Sequence, residues 1–319
     1  MSKNFRQLVL PLIVALIWGS AFIVQGSVAS KMGAFTFNGI RALIAALVLA
    51  ATAVTFDKIK SRKGVEFKKA DLKGLFIGGT LCGAALFIAS NLQQYGMYGT
   101  TEAGGNALTE GDSAFITALY IILVPIFSIF LHKKPTLNVW IAVVLAFIGL
   151  FLICNFTGGK AFTIYHVELF LSSISFTFHI LLIDKFINGQ DGIKLSCIQF
   201  TVMGVLSLIF ALIFDEISFT VLIDCLPQLL YVGIFSCSIA YTLQIIAQDG
   251  TNPTIVSVLL SLESFFALAC EFVIGLITGN VKYHTPLQIV GCAIMIVAIV
   301  CSQFNFVEAI KNAKKPKNQ

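Results

Sequence analysis

The chain has 319 residues, of which 57% are hydrophobic and 12% charged, with a mean hydropathy of +0.91 and a formal net charge of +5. A soluble domain carries roughly 25% charged residues to cover its water-facing surface, so this composition excludes a soluble globular protein and leaves lipid as the solvent. The positive charge implies no nucleic-acid partner, because its placement along the chain matters more than its sum.

Spanning about 30 Å of hydrocarbon takes roughly 17–25 apolar residues as a helix. By that measure the sequence predicts an all-α integral membrane protein with ten transmembrane helices, at 8–28, 34–56, 72–98, 113–131, 136–155, 163–187, 194–214, 226–247, 253–278 and 286–304. Barrel strands are excluded, since those alternate over only about ten residues.

The first span follows Lys3 and Arg6, and a Ser27-Val28-Ala29 tripeptide near its end resembles a cleavage site. Its apolar run from Leu8 to Val24 exceeds the core of a signal peptide, so it reads as a retained helix. Trp18 within it is a candidate to stack on a substrate, or else a filler between helices. In the second span Arg41 lies about seven residues past the expected outer end, roughly 10 Å deep at 1.5 Å per residue. A cation at that depth faces a cavity, pairs with a carboxylate, or snorkels outward. The loop 57–73 is basic and is expected to set topology. In the third span Gly78, Gly79 and Gly83 permit close helix approach, and Asn91, Gln93 and Gln94 form an amide cluster followed by Tyr95. Buried amides need partners, either across a polar cavity or between helices. Tyr95 is a second stacking candidate.

Segment 99–112 carries Glu102, Glu110 and Asp112 and reads as a solvated loop, with a lid as the alternative. Asn155-Phe156-Thr157 matches a glycosylation sequon. His179 in the sixth span is a proton-relay candidate or a histidine bonded to a neighbour, while His132, His166 and His284 mark span ends. Gln244 and Gln248 mirror the amides of the third span. Glu263 stands alone deep in the ninth span, as a proton carrier, a counter-ion for a substrate amine, or a packing acid. Its best charge partner by type is Arg41. Glu271 lies two turns further along. Seven of the eight cysteines (Cys82, Cys154, Cys197, Cys237, Cys270, Cys292 and Cys301) lie in or beside apolar runs, and no C-x-x-C occurs, so they read as small packing hydrophobes.

With the N-terminus inside, the inward segments hold Lys3, Arg6, Lys58, Lys60, Arg62, Lys63, Lys68, Lys69, Lys73, Lys133, Lys134, Lys185, Lys194, Lys311, Lys314, Lys315 and Lys317. The outward ones hold only Lys31, Lys160 and Lys282. Seventeen against three is the positive-inside bias, which places both termini in the cytoplasm. The halves also repeat. Ile17-Trp18-Gly19-Ser20-Ala21-Phe22 aligns with Ser175-Phe176-Thr177-Phe178-His179-Ile180, and Phe37-Asn38-Gly39-Ile40-Arg41 with Leu195-Ser196-Cys197-Ile198-Gln199, both at an offset of 158. Leu92-Gln93 and Gly99-Thr100 match Leu243-Gln244 and Gly250-Thr251 at 151. Five spans per half is an odd number, so the second half enters from the other side. The expected domains are an inverted pair, 1–158 and 159–306, with a basic tail at 307–319, an arrangement that sets a substrate site near the midplane.

No Gly-Lys-Ser/Thr phosphate loop and no H-E-x-x-H occur, so neither ATP-driven pumping nor zinc proteolysis is indicated, and no motif calls for a cofactor or a metal. A channel would need a continuous polar stripe, and an intramembrane enzyme a nucleophile–base pair at matched depths. The spans are too apolar to show such a stripe and offer no clear pair, which leaves a small-solute channel or an intramembrane enzyme as the alternative readings.

The chain resembles the EamA-type family of the drug/metabolite transporter superfamily over essentially its whole length. The resemblance rests on Trp18-Gly19-Ser20-Ala21-Phe22, Arg41, Phe115-Ile116-Thr117-Ala118-Leu119-Tyr120 leading to Val124-Pro125, Leu243-Gln244-Ile245-Ile246-Ala247-Gln248, and Ser261-Leu262-Glu263. It implies two inverted five-helix halves and export of small metabolites, amino acids or drugs across a bacterial inner membrane. The sequence departs from the family pattern in three places. Ser264 replaces a proline after Glu263, His132-Lys133-Lys134-Pro135 replaces the usual turn, and the 99–112 segment is longer. The expected substrate-cavity residues are Trp18, Arg41, Asn91, Gln93, Tyr95, His179, Gln244 and Glu263, with a small-molecule substrate, the lipid bilayer and protons as the expected partners.

Overall fold

The computed structural model describes residues 5–63, 71–105, 107–131, 135–153, 162–279 and 285–303. Lys3, Lys68, Lys69, Lys133, Lys134, Lys160, Lys282, His132, His284, Cys154, the sequon at Asn155, the 158/159 boundary and the 307–319 tail lie outside them. Among the described residues every regular element is a helix. After a π-helical turn at Phe5–Val9 come α1 (Leu10–Ala29), α2 (Ala34–Arg62) and α3 (Leu72–Met97). Two segments of one rod follow, α4 (Glu110–Ala118) and α5 (Tyr120–Phe130), and then α6 (Leu137–Ile153). The second half runs through α7 (Ile164–Phe186), α8 (Gly192–Phe214) and the short α9 (Phe219–Asp224). Next is a rod of α10 (Leu226–Tyr231), a π-helical stretch Val232–Ala240 and α11 (Tyr241–Gln248). Another two-segment rod, α12 (Pro253–Leu260) and α13 (Glu263–Thr278), leads to α14 (Pro286–Gln303).

Among the described residues eight rods are long and apolar enough to cross a membrane, and two shorter apolar helices, Leu137–Ile153 and Pro286–Ser302, accompany them. The short pair falls at the expected spans 136–155 and 286–304, and each abuts residues outside the described set. The two pack against each other where Gly149 meets Gly291. A Cβ on Gly149 would stand 2.9 Å from the Gly291 carbonyl oxygen, and one on Gly291 2.7 Å from that of Gly149, so only glycine allows this crossing.

The polarity of the molecule is inverted relative to a soluble protein. Phe130 is 74% exposed, Leu212 77% and Ile277 80%, whereas Arg41 is 4% and Glu263 3% exposed. Water would penalise such an apolar exterior, whereas hydrocarbon solvates it and drives the polar side chains toward one another.

Three features of the connecting segments differ from the sequence reading. The second helix continues six residues past the expected end, because the long stems of Lys58, Lys60 and Arg62 extend an apolar rod into a polar rim. There Lys194 Nζ meets Asp57 at 2.8 Å and Lys60 Nζ meets Asp191 at 3.6 Å, so the basic segment also ties the start of α8 to the end of α2. Asp112, read as part of a solvated loop, is buried. It accepts from the Thr109 backbone while Thr109 Oγ1 accepts from the Asp112 N–H, which closes a capping box on α4. His166, expected at an interface, is buried too and occupies the matching cap of α7 with Thr163. The described cysteines are free thiols.

Candidate functional site

Two rods are interrupted mid-way, and the interruptions meet. In the α4–α5 rod the helix breaks at Leu119, whose N–H reaches the Ile116 carbonyl rather than that of Phe115. One turn later Pro125 has no N–H to give the Ile121 carbonyl. In the α12–α13 rod the break falls at Ser261–Leu262. The sequence left a bend here in doubt, since Ser264 stands where a proline was expected. The structure makes the break with a hydroxyl. Ser261 Oγ donates to the Val258 carbonyl at 2.8 Å, and the Leu262 N–H, which would ordinarily bond that carbonyl, turns to Leu259 at 3.3 Å.

Each break sits at the same distance from its cap. Thr109 caps α4 and Tyr120 opens α5, eleven positions on; Asn252 caps α12 and Glu263 opens α13, also eleven positions on. Tyr120 and Glu263 are therefore counterparts in the two halves, and they touch: the Tyr120 hydroxyl donates to Glu263 Oε1 at 2.9 Å. A helix start carries positive partial charge, and α5 and α13 both start at this point.

A cavity of about 30 Å³, room for a water or two, adjoins this contact. Helix α1 supplies Trp18, Phe22 and Gln25, spaced i, i+4, i+7 on one face. Helices α2, α3 and α4 supply Arg41, Gln93 and Thr117, and from the other side come Tyr120, Phe176, Ser236, Tyr241 and Glu263. Gly19 makes this arrangement possible. A Cβ there would lie 2.7 Å from the Ala267 nitrogen, the Glu263 carbonyl oxygen and Phe266 Cβ, so α1 presses directly on the backbone that carries Glu263. Trp18 rests on the Tyr241 ring with centroids 4.7 Å apart, and its indole N–H points to the Ser236 carbonyl at 3.4 Å, inside the π-helical stretch.

The two ionisable side chains of opposite type that line the cavity, Arg41 and Glu263, are held by neutral groups. Arg41 donates through Nε to Asn38 at 2.7 Å and through one terminal nitrogen to Gln25 Oε1 at 3.0 Å, while its guanidinium lies 5.0 Å from the Phe37 ring centre. Asn38 in turn donates to the Ser90 carbonyl and to Asn91 Oδ1, both at 3.0 Å. Asn91 passes its own N–H groups to the Phe87 carbonyl and Ser207. Glu263 has the Tyr120 hydroxyl. Among the described residues no ion pair joins Arg41 to Glu263, so the two charges the sequence matched by type share a cavity without contacting each other.

Of the eight expected cavity residues, Trp18, Arg41, Gln93 and Glu263 line this space. Asn91 lies behind Arg41 in the bonded network and does not line it. Tyr95 faces a separate vestibule. His179 is fully buried, 3.1 Å from Gln199 Oε1 and edge-on to Tyr241 at 5.7 Å, which sets it one layer behind the lining. Gln244 is buried outside the lining, and Glu271 is half-buried away from it. Gln25, Thr117 and Tyr120 were missed as cavity residues, although the i, i+4, i+7 spacing from Trp18 and the i, i+3 spacing of Thr117 with Tyr120 were readable. Among the described residues no cluster of His, Cys, Asp and Glu could hold a metal ion.

Apolar rods in two halves, packed around a pocket lined by Arg41 and Glu263, are the architecture of a multi-pass membrane transporter. The chain belongs to the EamA-like transporter family, whose sequence profile matches it twice, over residues 6–155 and 164–304. It is 27% identical over 292 residues to an uncharacterized transporter of Archaeoglobus fulgidus, an alignment covering 90% of this chain and 82% of that one. It also superposes on a protein of known crystal structure with a TM-score of 0.69 at 12% identity, over 95% of this chain and 97% of the other; that likeness concerns the fold alone.

Proposed function

We propose that this protein is a secondary transporter of a small organic solute, exporting a metabolite, amino acid or drug from the cytoplasm by alternating exposure of the central cavity. In this reading ten helices span a bacterial inner membrane as two oppositely inserted halves with both chain ends inside. Arg41 and Glu263 are the charged contacts for the solute, Trp18 and Tyr241 the stacking surfaces, and Gln93 with Thr117 the neutral polar contacts. The supporting observation is the meeting of the two interrupted rods at Tyr120 and Glu263, beside an arginine on α2. Interrupted helices beside a mid-membrane site are how such proteins coordinate solutes without exposing backbone to lipid. A cavity of this size is too small for a metabolite, so in this reading it widens toward one side to load and toward the other to release. Glu263 is the proton-carrier candidate because its carboxylate is buried and, among the described residues, bonds the Tyr120 hydroxyl and pairs with no cation.

The test is counterflow and gradient-driven uptake in proteoliposomes, screened across amino acids and cationic drugs. Substrate-dependent, saturable flux that falls at least tenfold in Glu263→Gln supports the reading. Flux that stays driven by a proton gradient in Glu263→Gln removes the proton role, and flux that does not saturate removes the transporter reading in favour of a channel.

A further inference from the structure

A second space lies outside the central cavity, at the end of α1 remote from the N-terminus. It is an open vestibule of about 720 Å³ between the α1–α2 turn, the end of α3, the start of α7 and the segment after α8. A volume of this size suits a whole small molecule. Its polar lining is one-sided: Gln94, Glu168 and Glu216 present acceptors, and Tyr95, Tyr98 and Tyr165 present ring faces and phenol oxygens. Lys31 is the one basic side chain among the lining residues, and it stands exposed on the rim, leaving the carboxylates in excess.

The floor of the vestibule carries an independent sign of a ligand. Gln94 is 2% exposed, and its Nε2 donates to the Gln25 backbone carbonyl at 3.3 Å. Among the described residues its Oε1 is buried with no hydrogen-bond partner, and so is Glu168 Oε2. A buried acceptor left unmade costs about 1–3 kcal/mol, and an arriving N–H donor removes that penalty at both atoms. Tyr98 and Tyr165 line the same space with ring centres 6.1 Å apart, and Tyr95 meets Phe35 edge-on at 5.5 Å. Aromatic faces attract organic cations. Met32 and Val221 complete the wall with apolar surface. Among the described residues no acid cluster suits a bare metal ion.

We infer that this vestibule is a binding site for a primary ammonium ion with a small apolar body. The ammonium donates to Gln94 Oε1 and Glu168 and lies against the tyrosine rings, and the body rests on Met32 and Val221. Gln94 and Gln25 form the partition between this site and the central cavity, because Gln94 lines the one, Gln25 lines the other, and they are bonded to each other. The site is distinct from the central cavity and does not depend on what that cavity transports.

The experiment is calorimetric titration of phenethylamine, below its own pKa, into the purified full chain in nanodiscs, with 2-phenylethanol as the neutral analogue. Saturable binding of the amine at least tenfold tighter than that of the alcohol is expected. Glu168→Gln should weaken it about tenfold, as expected for a charge-assisted hydrogen bond, and the exposed Glu216→Gln about twofold. Lys31→Gln should tighten binding about twofold, a gain that a misfolded protein cannot mimic. Equal affinity for amine and alcohol overturns the assignment. So does amine binding that is unchanged in Glu168→Gln and lost in Glu263→Gln, which would place the ligand in the central cavity.

Discussion

Replacing Gly19 with alanine adds one methyl group at the tightest crossing beside the cavity. Its Cβ would stand 2.7 Å from the Ala267 nitrogen and from the Glu263 carbonyl oxygen. Non-bonded carbon normally keeps about 3.5–4.0 Å, so α1 and α13 must part by roughly 1 Å. Backbone atoms cannot rotate out of the way as a flexible side chain does, and forced overpacking of this kind costs about 1–3 kcal/mol. At about 2–4 °C per kcal/mol for chains of 150–250 residues, the thermal midpoint in detergent should fall by several degrees. The same 1 Å shift moves Glu263 off the Tyr120 hydroxyl, so solute flux should fall more steeply than stability. Gly26 on the same helix is the internal control: a Cβ there meets Glu110 Cγ at 3.4 Å and Met97 Cε at 3.6 Å, ordinary contacts with movable side chains. Gly26→Ala should therefore keep both its melting temperature and its transport. If Gly19→Ala behaves like Gly26→Ala in both measurements, α1 does not position Glu263 and the reasoning fails.

Tyr120→Phe removes the hydrogen bond to Glu263, and a bond to a charged group contributes about 1.5–3 kcal/mol; flux in proteoliposomes should drop about tenfold or more. Combining it with Glu263→Gln should add little further loss in a double-mutant cycle, because both changes break one contact. Arg41→Lys keeps the charge but cannot reach Asn38 and Gln25 together as the planar fork does, so a loss of about 1–3 kcal/mol is expected, read as a lower melting temperature. Ser261→Ala returns the Val258 carbonyl to the Leu262 N–H and favours a continuous α12–α13 rod. Transport should fall while the melting temperature holds or rises, and a variant with intact flux would show that the break is not needed.

The all-helical membrane character was legible because lipid leaves a coarse signature: long apolar runs and sparse charge. The central site was legible where burial makes a residue conspicuous, as with Arg41 and Glu263, since a lone charge in an apolar run needs a reason. What the sequence hid was adjacency. Asn91, Gln93, Gln94 and Tyr95 are consecutive or nearly so, yet a helix turns about 100° per residue, and they separate onto a bonded network, the central cavity and the vestibule. His179 looked functional for the same reason as Arg41, but its partner Gln199 lies on a neighbouring helix and nothing in the local sequence announces it. The break before Glu263 was hidden differently. Proline is its familiar sign, and a serine hydroxyl does the same job with a residue type that is unremarkable in membrane helices.

The equal count from cap to break sets a rule for length. In the first half, ten positions separate Gly99 from the cap at Thr109, whereas in the second only two separate Gly250 from Asn252. Those eight additional residues lie ahead of the cap and leave the meeting of Tyr120 with Glu263 undisturbed. One residue inserted between Thr109 and Tyr120 would instead swing the phenol by about 100° and raise it by about 1.5 Å, turning it away from its acid. Thr109 thus acts as a datum: ahead of it the two halves differ in length, and after it each half keeps the same register, so that the two meet on one point.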